Sequence, residues 1–157
     1  MNIFFISDLH IAHKNILNFS PMRQGATIDE HDEWLFSCWN NRVRPKDRIY
    51  VLGDICFDIS KMPLFNTLNG EKILIRGNHD KFDTMVYMKY FKEIHGITKY
   101  KEFWLSHCPI HPIELRGKKN IHGHVHHNHI PDNMYINVCV EAVNGVPISL
   151  EEIRSKA

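Results

Sequence analysis

No C-x-x-C pair occurs in this chain. Its four cysteines, Cys38, Cys56, Cys108 and Cys139, are scattered, so neither a zinc ribbon nor a disulfide framework is indicated. An excess of charge of one sign is also missing. Lys plus Arg number 19 against 18 Asp plus Glu, a formal charge of +1. That balance gives no general electrostatic pull toward nucleic acid or an anionic membrane. No apolar run approaches the length of a membrane-spanning helix. The N-terminal apolar stretch is too short for a signal peptide, has no basic region before it and reaches Asp8 directly. Internal repeats, low-complexity tracts and linkers are lacking as well. The plain expectation is one soluble domain over residues 1–157, large enough to bury a real core, in a reduced cytoplasmic setting.

What is present is short apolar runs and much histidine, 12 residues in all. Runs at residues 2–7, 48–53, 72–77, 102–107, 119–123 and 134–140 read as strands, and their continuity suits burial on both faces. Between the first two, Thr27-Ile28-Asp29-Glu30 forms a capping box, and Trp34, Leu35, Cys38, Trp39 and Val43 recur on one face of a helix. Ser60 and Gly70 bracket a shorter helix, residues 82–92 read as helical, and Ser149-Leu150-Glu151-Glu152 opens a terminal one. Early strands alternate with helices and the later half is richer in strands, which predicts an α/β sandwich of two sheets.

Five short pieces carry the chemistry, each beside an expected strand end: Asp8-Leu9-His10, Gly53-Asp54, Gly77-Asn78-His79-Asp80, Ser106-His107 and Gly123-His124-Val125-His126. Ligands in open α/β sheets gather beyond the carboxyl ends of strands, so these sequence-distant residues can converge. Carboxylate, imidazole and amide oxygen together suit two divalent cations. Such a pair, about 3.5–4 Å apart, is a clamp for phosphate ester hydrolysis.

The order D-x-H, GD, GNH[DE], H, GHxH resembles the calcineurin-like metallophosphoesterases, and it runs from Asp8 to His126 without a gap. Asp8-Leu9-His10-Ile11-Ala12-His13-Lys14-Asn15-Ile16, with Trp39-Asn40, Leu68-Asn69-Gly70 and the stretch from Asn137 to Glu141, is similar to a narrower group, the small bacterial and phage members. The resemblance implies a four-layer sandwich of two mixed β-sheets flanked by helices. It implies that Asp8, His10 and His126 hold one metal, that Asn78, His107 and His124 hold the other, and that Asp54 bridges them. A metal-bridging hydroxide would then attack the phosphorus, with His79 protonating the leaving oxygen. Asp80 would orient His79 or cap the next helix. Nitrogen and oxygen ligands fit Mn²⁺ first, with Fe²⁺, Zn²⁺ or Ni²⁺ as alternatives. The expected partner is a small phosphate monoester or diester, a nucleotide in particular. The histidine at position 79 keeps both ester classes open. His13, Arg23 and Asn40 are candidates to reach the substrate, and the loop from Phe19 to Ala26 is the candidate substrate-facing segment.

Plainer readings stand beside these. The run from His122 to His129 could be a flexible metal-binding tract. His31 and His95 read as surface residues, His127 and His129 as bystanders, Asp29, Asp32 and Asp47 as solvated, and Cys108 as a buried structural thiol. Asp58 does not stand at the spacing of GDxxDRG, which argues against a protein phosphatase. A nuclease is the first rival function, disfavoured by the lack of basic excess. A non-enzymatic scaffold of the same fold is the second, disfavoured by the complete ligand set.

Overall fold

The computed structural model describes residues 1–156 and contains two mixed β-sheets. In chain order the elements are β1 (Ile3–Ile6), α1 (Ile16–Phe19), α2 (Ile28–Arg42), β2 (Arg48–Val51), β3 (Glu71–Ile75), α3 (Thr84–Tyr87), β4 (Glu93–His95), β5 (Ile97–Tyr100), β6 (Phe103–Ser106), β7 (Lys119–His122), β8 (Tyr135–Asn137), α4 (Val140–Val143), β9 (Ile148–Ser149) and α5 (Leu150–Lys156). The first sheet runs β4-β3-β2-β1-β9, parallel except at β9. The second runs β5-β6-β7-β8, parallel except at β5. No helix among the described residues is long and apolar enough to cross a membrane.

Strand alternation divides the first sheet between two cores. Phe4, Ile6, Ile49, Val51 and Leu74 face Leu35, Trp39 and Val43 of the α2 segment, together with Met62 and Phe65 of a 3-10 helix, Ile59–Thr67. Ile3, Phe5, Tyr50, Leu52, Ile73 and Ile75 face Phe103, Leu105 and Ile121 of the second sheet. Each such large side chain contributes roughly 1.5–3 kcal/mol on burial, so the two cores supply most of the driving force. Over the outer face of the second sheet lies the segment 108–118 with its 3-10 turn Pro112–Glu114. Asn120 ties it down by accepting from Ile110 N–H (3.0 Å), and Trp104 Nε1 donates to Leu115 O (3.2 Å).

The helix signals hold in part. Thr27 caps α2 by accepting from Glu30 N–H (3.2 Å). Ser149 and Glu152 exchange both bonds of a capping box, at 3.1 and 2.8 Å. The N-cap of the 3-10 helix is Asp58, accepting from Ser60 N–H at 2.9 Å, and not Ser60 itself. Residues 82–92 contain a single helical turn, α3. Three strands escape the apolar-run reading. Strands β4 and β5 are polar edge strands separated only by Gly96, where the chain passes from one sheet to the other, and β9 has two residues.

Candidate active site

Every candidate metal ligand lies just past the carboxyl end of a parallel strand: Asp8 and His10 after β1, Asp54 after β2, Asn78 after β3, His107 after β6, and His124 and His126 after β7. The loops are built from unusual backbone. Asp8, His10, Asp54, His124 and His126 all have left-handed φ, between 52° and 72°. Such conformations cost about 1–2 kcal/mol each for L-residues. Bonds between loops offset that cost: Asp8 N–H donates to Gly53 O and His10 N–H to Asp54 O, both at 3.0 Å. Asp80 clamps two loops at once, accepting from Asp54 N–H (2.8 Å), Ile55 N–H (2.9 Å) and Gly77 N–H (2.7 Å). It therefore neither orients His79 nor caps a helix. Glycine is required where these loops touch. A Cβ on Gly53, whose φ is +96°, would sit 2.6 Å from Gly77 N and 2.7 Å from His107 Nδ1, and one on Gly123 would strike Ser7 and Asp8.

Asp8 is fully buried and its two oxygens are divided in use. Oδ2 accepts from Ser7 Oγ (2.6 Å), His124 N–H (2.8 Å) and Cys139 Sγ (3.2 Å). Oδ1 has no hydrogen-bond partner and lies 3.6 Å from His10 Nε2 and 3.5 Å from His126 Nε2. His10 Nε2 is likewise buried and unpartnered. Asp54 uses Oδ1 to accept from His79 N–H (2.9 Å), while Oδ2 stands 3.3 Å from His107 Nε2 and 3.9 Å from His10 Nε2. Oδ2 is thus the Asp54 oxygen that faces both histidine groups. His107 Nδ1 donates to Leu52 O (2.6 Å), so its Nε2 faces Asn78 Oδ1 (2.9 Å), His124 Nδ1 (3.2 Å) and Asp54.

Electrostatics follow this crowding. Burial works against the Asp8 carboxylate, yet the His10 contact, the His107 charge and the Ser7 and His124 donors outweigh it and hold its pKa well below the usual range. Burial also opposes a charged His107, but the bond to Asp54 and the charges of Asp8 and Asp54 push it up to about 9. Burial lowers His10, and the Glu141 bond raises His126.

These features fit divalent metal. Among the described residues, possible ligand groups are Asp8–His10–His126, Asp8–Asp54–His107 and His107–Cys108–His124, with ligand atoms inside 4.8 Å of one another. Unpartnered buried acceptors beside imidazoles are costly unless a cation completes them. Cys108 is exposed beside His107 and His124, not a buried structural thiol.

A cleft of 610 Å³ opens over the site, lined by His10, His13, Ile16, Phe19, Ser20, His79, His124, Val125, His126, His127, Asn128 and Glu141. His79 is exposed in its wall. His13 also faces it, stacked on Phe57 at 4.4 Å between ring centroids. Two candidate substrate contacts are corrected. Arg23 is buried and turned inward, donating to Asp8 O (2.6 Å), Leu9 O (2.8 Å) and Glu141 Oε1 (2.9 Å), so its fork is spent on protein. Asn40 bridges to Thr67 O (2.9 Å) and Asn69 N–H (2.8 Å), away from the cleft. In the loop from Phe19 to Ala26, only Phe19 and Ser20 line the cleft.

Sequence reasoning missed Glu141, whose Oε1 accepts from His126 Nδ1 (3.1 Å) as well as from Arg23. It also misread His31, Asp32 and Asp47. All three are buried and hydrogen-bonded, Asp47 to Asn2 N–H (2.8 Å) and Arg44 N–H (3.0 Å).

Comparison with known proteins agrees with this geometry. A family model described as calcineurin-like phosphoesterase matches residues 1–154. The uncharacterized protein MJ1445 of Methanocaldococcus jannaschii is 39% identical over 165 residues, spanning 96% of this chain and 88% of that protein. The gene 66 protein of Mycobacterium phage L5 is 28% identical over 162 residues, spanning 80% and 77%. The crystal structure of a protein of unknown function, AQ665 from Aquifex aeolicus, matches with a TM-score of 0.80 at 30% identity, covering 99% of each chain.

Proposed function

This chain belongs to the calcineurin-like phosphoesterase family, and from that premise we propose that it is a two-metal hydrolase of small phosphate esters, nucleotides above all. The observation that carries the reading is the pair of buried, unpartnered atoms Asp8 Oδ1 and His10 Nε2, set beside Asp54 Oδ2 beneath an open cleft. Asp8, His10 and His126 would hold one ion, Asn78, His107 and His124 the other, with Asp54 shared between them. When bound, two divalent ions neutralise phosphoryl charge and activate water near neutral pH.

The chain's own groups do the rest. Ser7, Cys139 and the His124 amide hold Asp8 so that Oδ1 alone is free. The His79 amide does the same for Asp54 Oδ2. Asn78 adds an oxygen without charge, which limits repulsion of an anionic substrate. The His79 ring, exposed in the cleft wall with its ring centroid 6.2 Å from that of His10, supplies a proton to the leaving oxygen. Ile16, Phe19 and Val125 offer apolar and aromatic surface beside the cluster. Such surface suits a base, and the cleft volume lies within the range of small-molecule sites. The four free cysteines suit a reducing cytoplasm.

The test is direct. With Mn²⁺ the purified protein hydrolyses a nitrophenyl phosphate ester and cleaves members of a panel of nucleotides, cyclic nucleotides and sugar phosphates. Chelation abolishes both. Full activity with metal shown to be absent sinks the reading.

A further inference from the structure

We infer that Glu141 and Arg23 form a buried positioning pair that presets the Asp8–His10–His126 cluster, fixing the ring proton of His126 on Nδ1 and its lone pair on Nε2. The inference rests on the proposed metal reading only for what the cluster holds. The proton assignment stands apart from it.

The hydrogen-bond chain allows one assignment. Arginine has donors and no acceptor. Arg23 Nη1, 3.2 Å from His31 Nε2, therefore makes that nitrogen the acceptor. The proton of His31 is then on Nδ1, donated to Asp32 Oδ1 at 2.8 Å. Asp32 Oδ2 in turn accepts from Ala12 N–H (3.0 Å), which anchors the far end on the loop that carries His10. On the other side Arg23 Nε donates to Glu141 Oε1 (2.9 Å). An ionised carboxylate only accepts, so His126 must present Nδ1–H to it at 3.1 Å. In the neutral ring Nε2 of His126 is then an acceptor, directed at the site 3.5 Å from Asp8 Oδ1. A ligating histidine whose other nitrogen is bonded to a carboxylate is held in orientation and made more basic.

Arg23 adds a second link. Its bonds to Asp8 O and Leu9 O hold the two residues that precede His10. Through Glu141 on α4, one guanidinium thus links the loop after β1 to His126 in the turn after β7, the two pieces that supply this cluster. The Asn78–His107–His124 cluster touches none of these groups in the same way. Its rings meet an amide (His107 Nε2 to Asn78 Oδ1, 2.9 Å), each other (His107 Nε2 to His124 Nδ1, 3.2 Å) and a backbone carbonyl (His107 Nδ1 to Leu52 O, 2.6 Å). Glu141 also keeps one buried oxygen, Oε2, without a partner. A side chain kept for packing alone would not need that oxygen. A carboxylate kept for its charge would.

Glu141→Gln keeps the shape and removes the charge. We expect it to weaken one of the two Mn²⁺ sites by about 10–100-fold, as loss of such outer partners does, and to leave the other unchanged. Calorimetry would read the two affinities, and Mn²⁺ electron paramagnetic resonance would show the paired signal giving way to an isolated ion. Unchanged affinities at both sites, or equal loss at both, would overturn the inference. A second arm uses the metal-free wild type. At a pH where the His126 ring is neutral, long-range ¹H–¹⁵N spectra should find it as the Nδ1–H tautomer, and Asp32→Asn should shift its ring signals from a distance. The Nε2–H tautomer at His126 refutes the inference whether or not metal binds. A wild type with the expected tautomer that binds no Mn²⁺ refutes the metal reading and sustains the positioning pair.

Discussion

The two ends of the sheet sandwich are built on opposite terms. At the carboxyl ends of the strands, charged and imidazole side chains converge, Asp8, His10, Asp54 and His107 buried among them, and five of the site's residues sit on left-handed backbone. At the amino ends, charges are paired on half-buried or exposed side chains. Arg48 Nε meets Glu71 at 2.6 Å and Lys92 joins the same carboxylate at 2.5 Å. Arg154 grips Glu102 with two bonds, 2.6 and 2.9 Å. Left-handed residues there, such as Lys101 and Gly70, serve turns. The difference teaches where stability is sacrificed. Total stability of a domain is only about 5–15 kcal/mol, so five strained residues take a large share of it. The site end keeps them because chemistry needs those side chains aimed at one point. The other end follows ordinary rules, and its substitutions should change stability without touching activity.

Asp54→Asn should break the site end most severely. It removes the charge whose Oδ2 lies beside both His10 and His107. Loss of a metal clamp forfeits several kcal/mol of transition-state stabilisation, or about 10³-fold or more at about 1.4 kcal/mol per decade. Activity should fall to background and both metals should bind weakly in titration. The fold should survive, because one charged hydrogen bond is worth only about 1.5–3 kcal/mol. If the variant retains both metals and its rate, Asp54 is not shared between the clusters. His79→Ala comes next. It should keep both metals and lose about 10²–10⁴-fold on nucleotide esters, the usual contribution of a general acid. Loss on nitrophenyl esters should be much smaller, since nitrophenolate leaves without a proton. Equal loss on both would make His79 a substrate-positioning group, and loss of one metal would make it a ligand.

The same contrast explains what could be seen in the sequence. Strands β1, β2, β3 and β6 were legible because each is an apolar run set in a core. Glu93-Ile94-His95 and Ile97-Thr98-Lys99-Tyr100 were not, because edge strands are half exposed and carry no such run. The ligand-type residues were legible because their chemistry is in their identity and the motifs give their order. What stayed hidden is burial of charge. Arg23 read as a residue that could meet a phosphate, yet its partner Glu141 lies 118 positions away, and nothing local distinguishes a buried arginine from an exposed one. His31 and Asp32 were misread for the same reason: both lie on the buried face of α2, where polar residues are acceptable only with partners supplied by distant chain. Left-handed φ at Asp8, His10 and Asp54 was equally invisible, since those residues are there for their side chains and not for their backbone preference.

The smallest predicted effect tests the ordinary end. The bond from Arg154 holds the Glu102 carboxyl down at about 2, against burial that would raise it and helped by the Arg154 and Lys101 charges. A carboxylate with a depressed folded pKa contributes stability above its unfolded pKa of about 4.5, and loses it as pH falls through the folded value near 2. Both side chains are nearly half exposed, 46% for Glu102 and 47% for Arg154, so solvent screens the pair. An exposed pair is worth about 1 kcal/mol at most, here toward the upper end because the contact is bidentate. In a chain of this length about 1 kcal/mol moves Tm by roughly 2–4 °C. Glu102→Gln should therefore lower Tm by that amount or less at pH 7. The gap to wild type should close as pH approaches 2, and most of it should vanish at about 1 M salt, where the Debye length is about 3 Å. Phosphoesterase rates should not change at any pH where both proteins are folded. A loss of rate with Tm unchanged would mean that the two ends are coupled through the sheets, and the division of labour between them would fail.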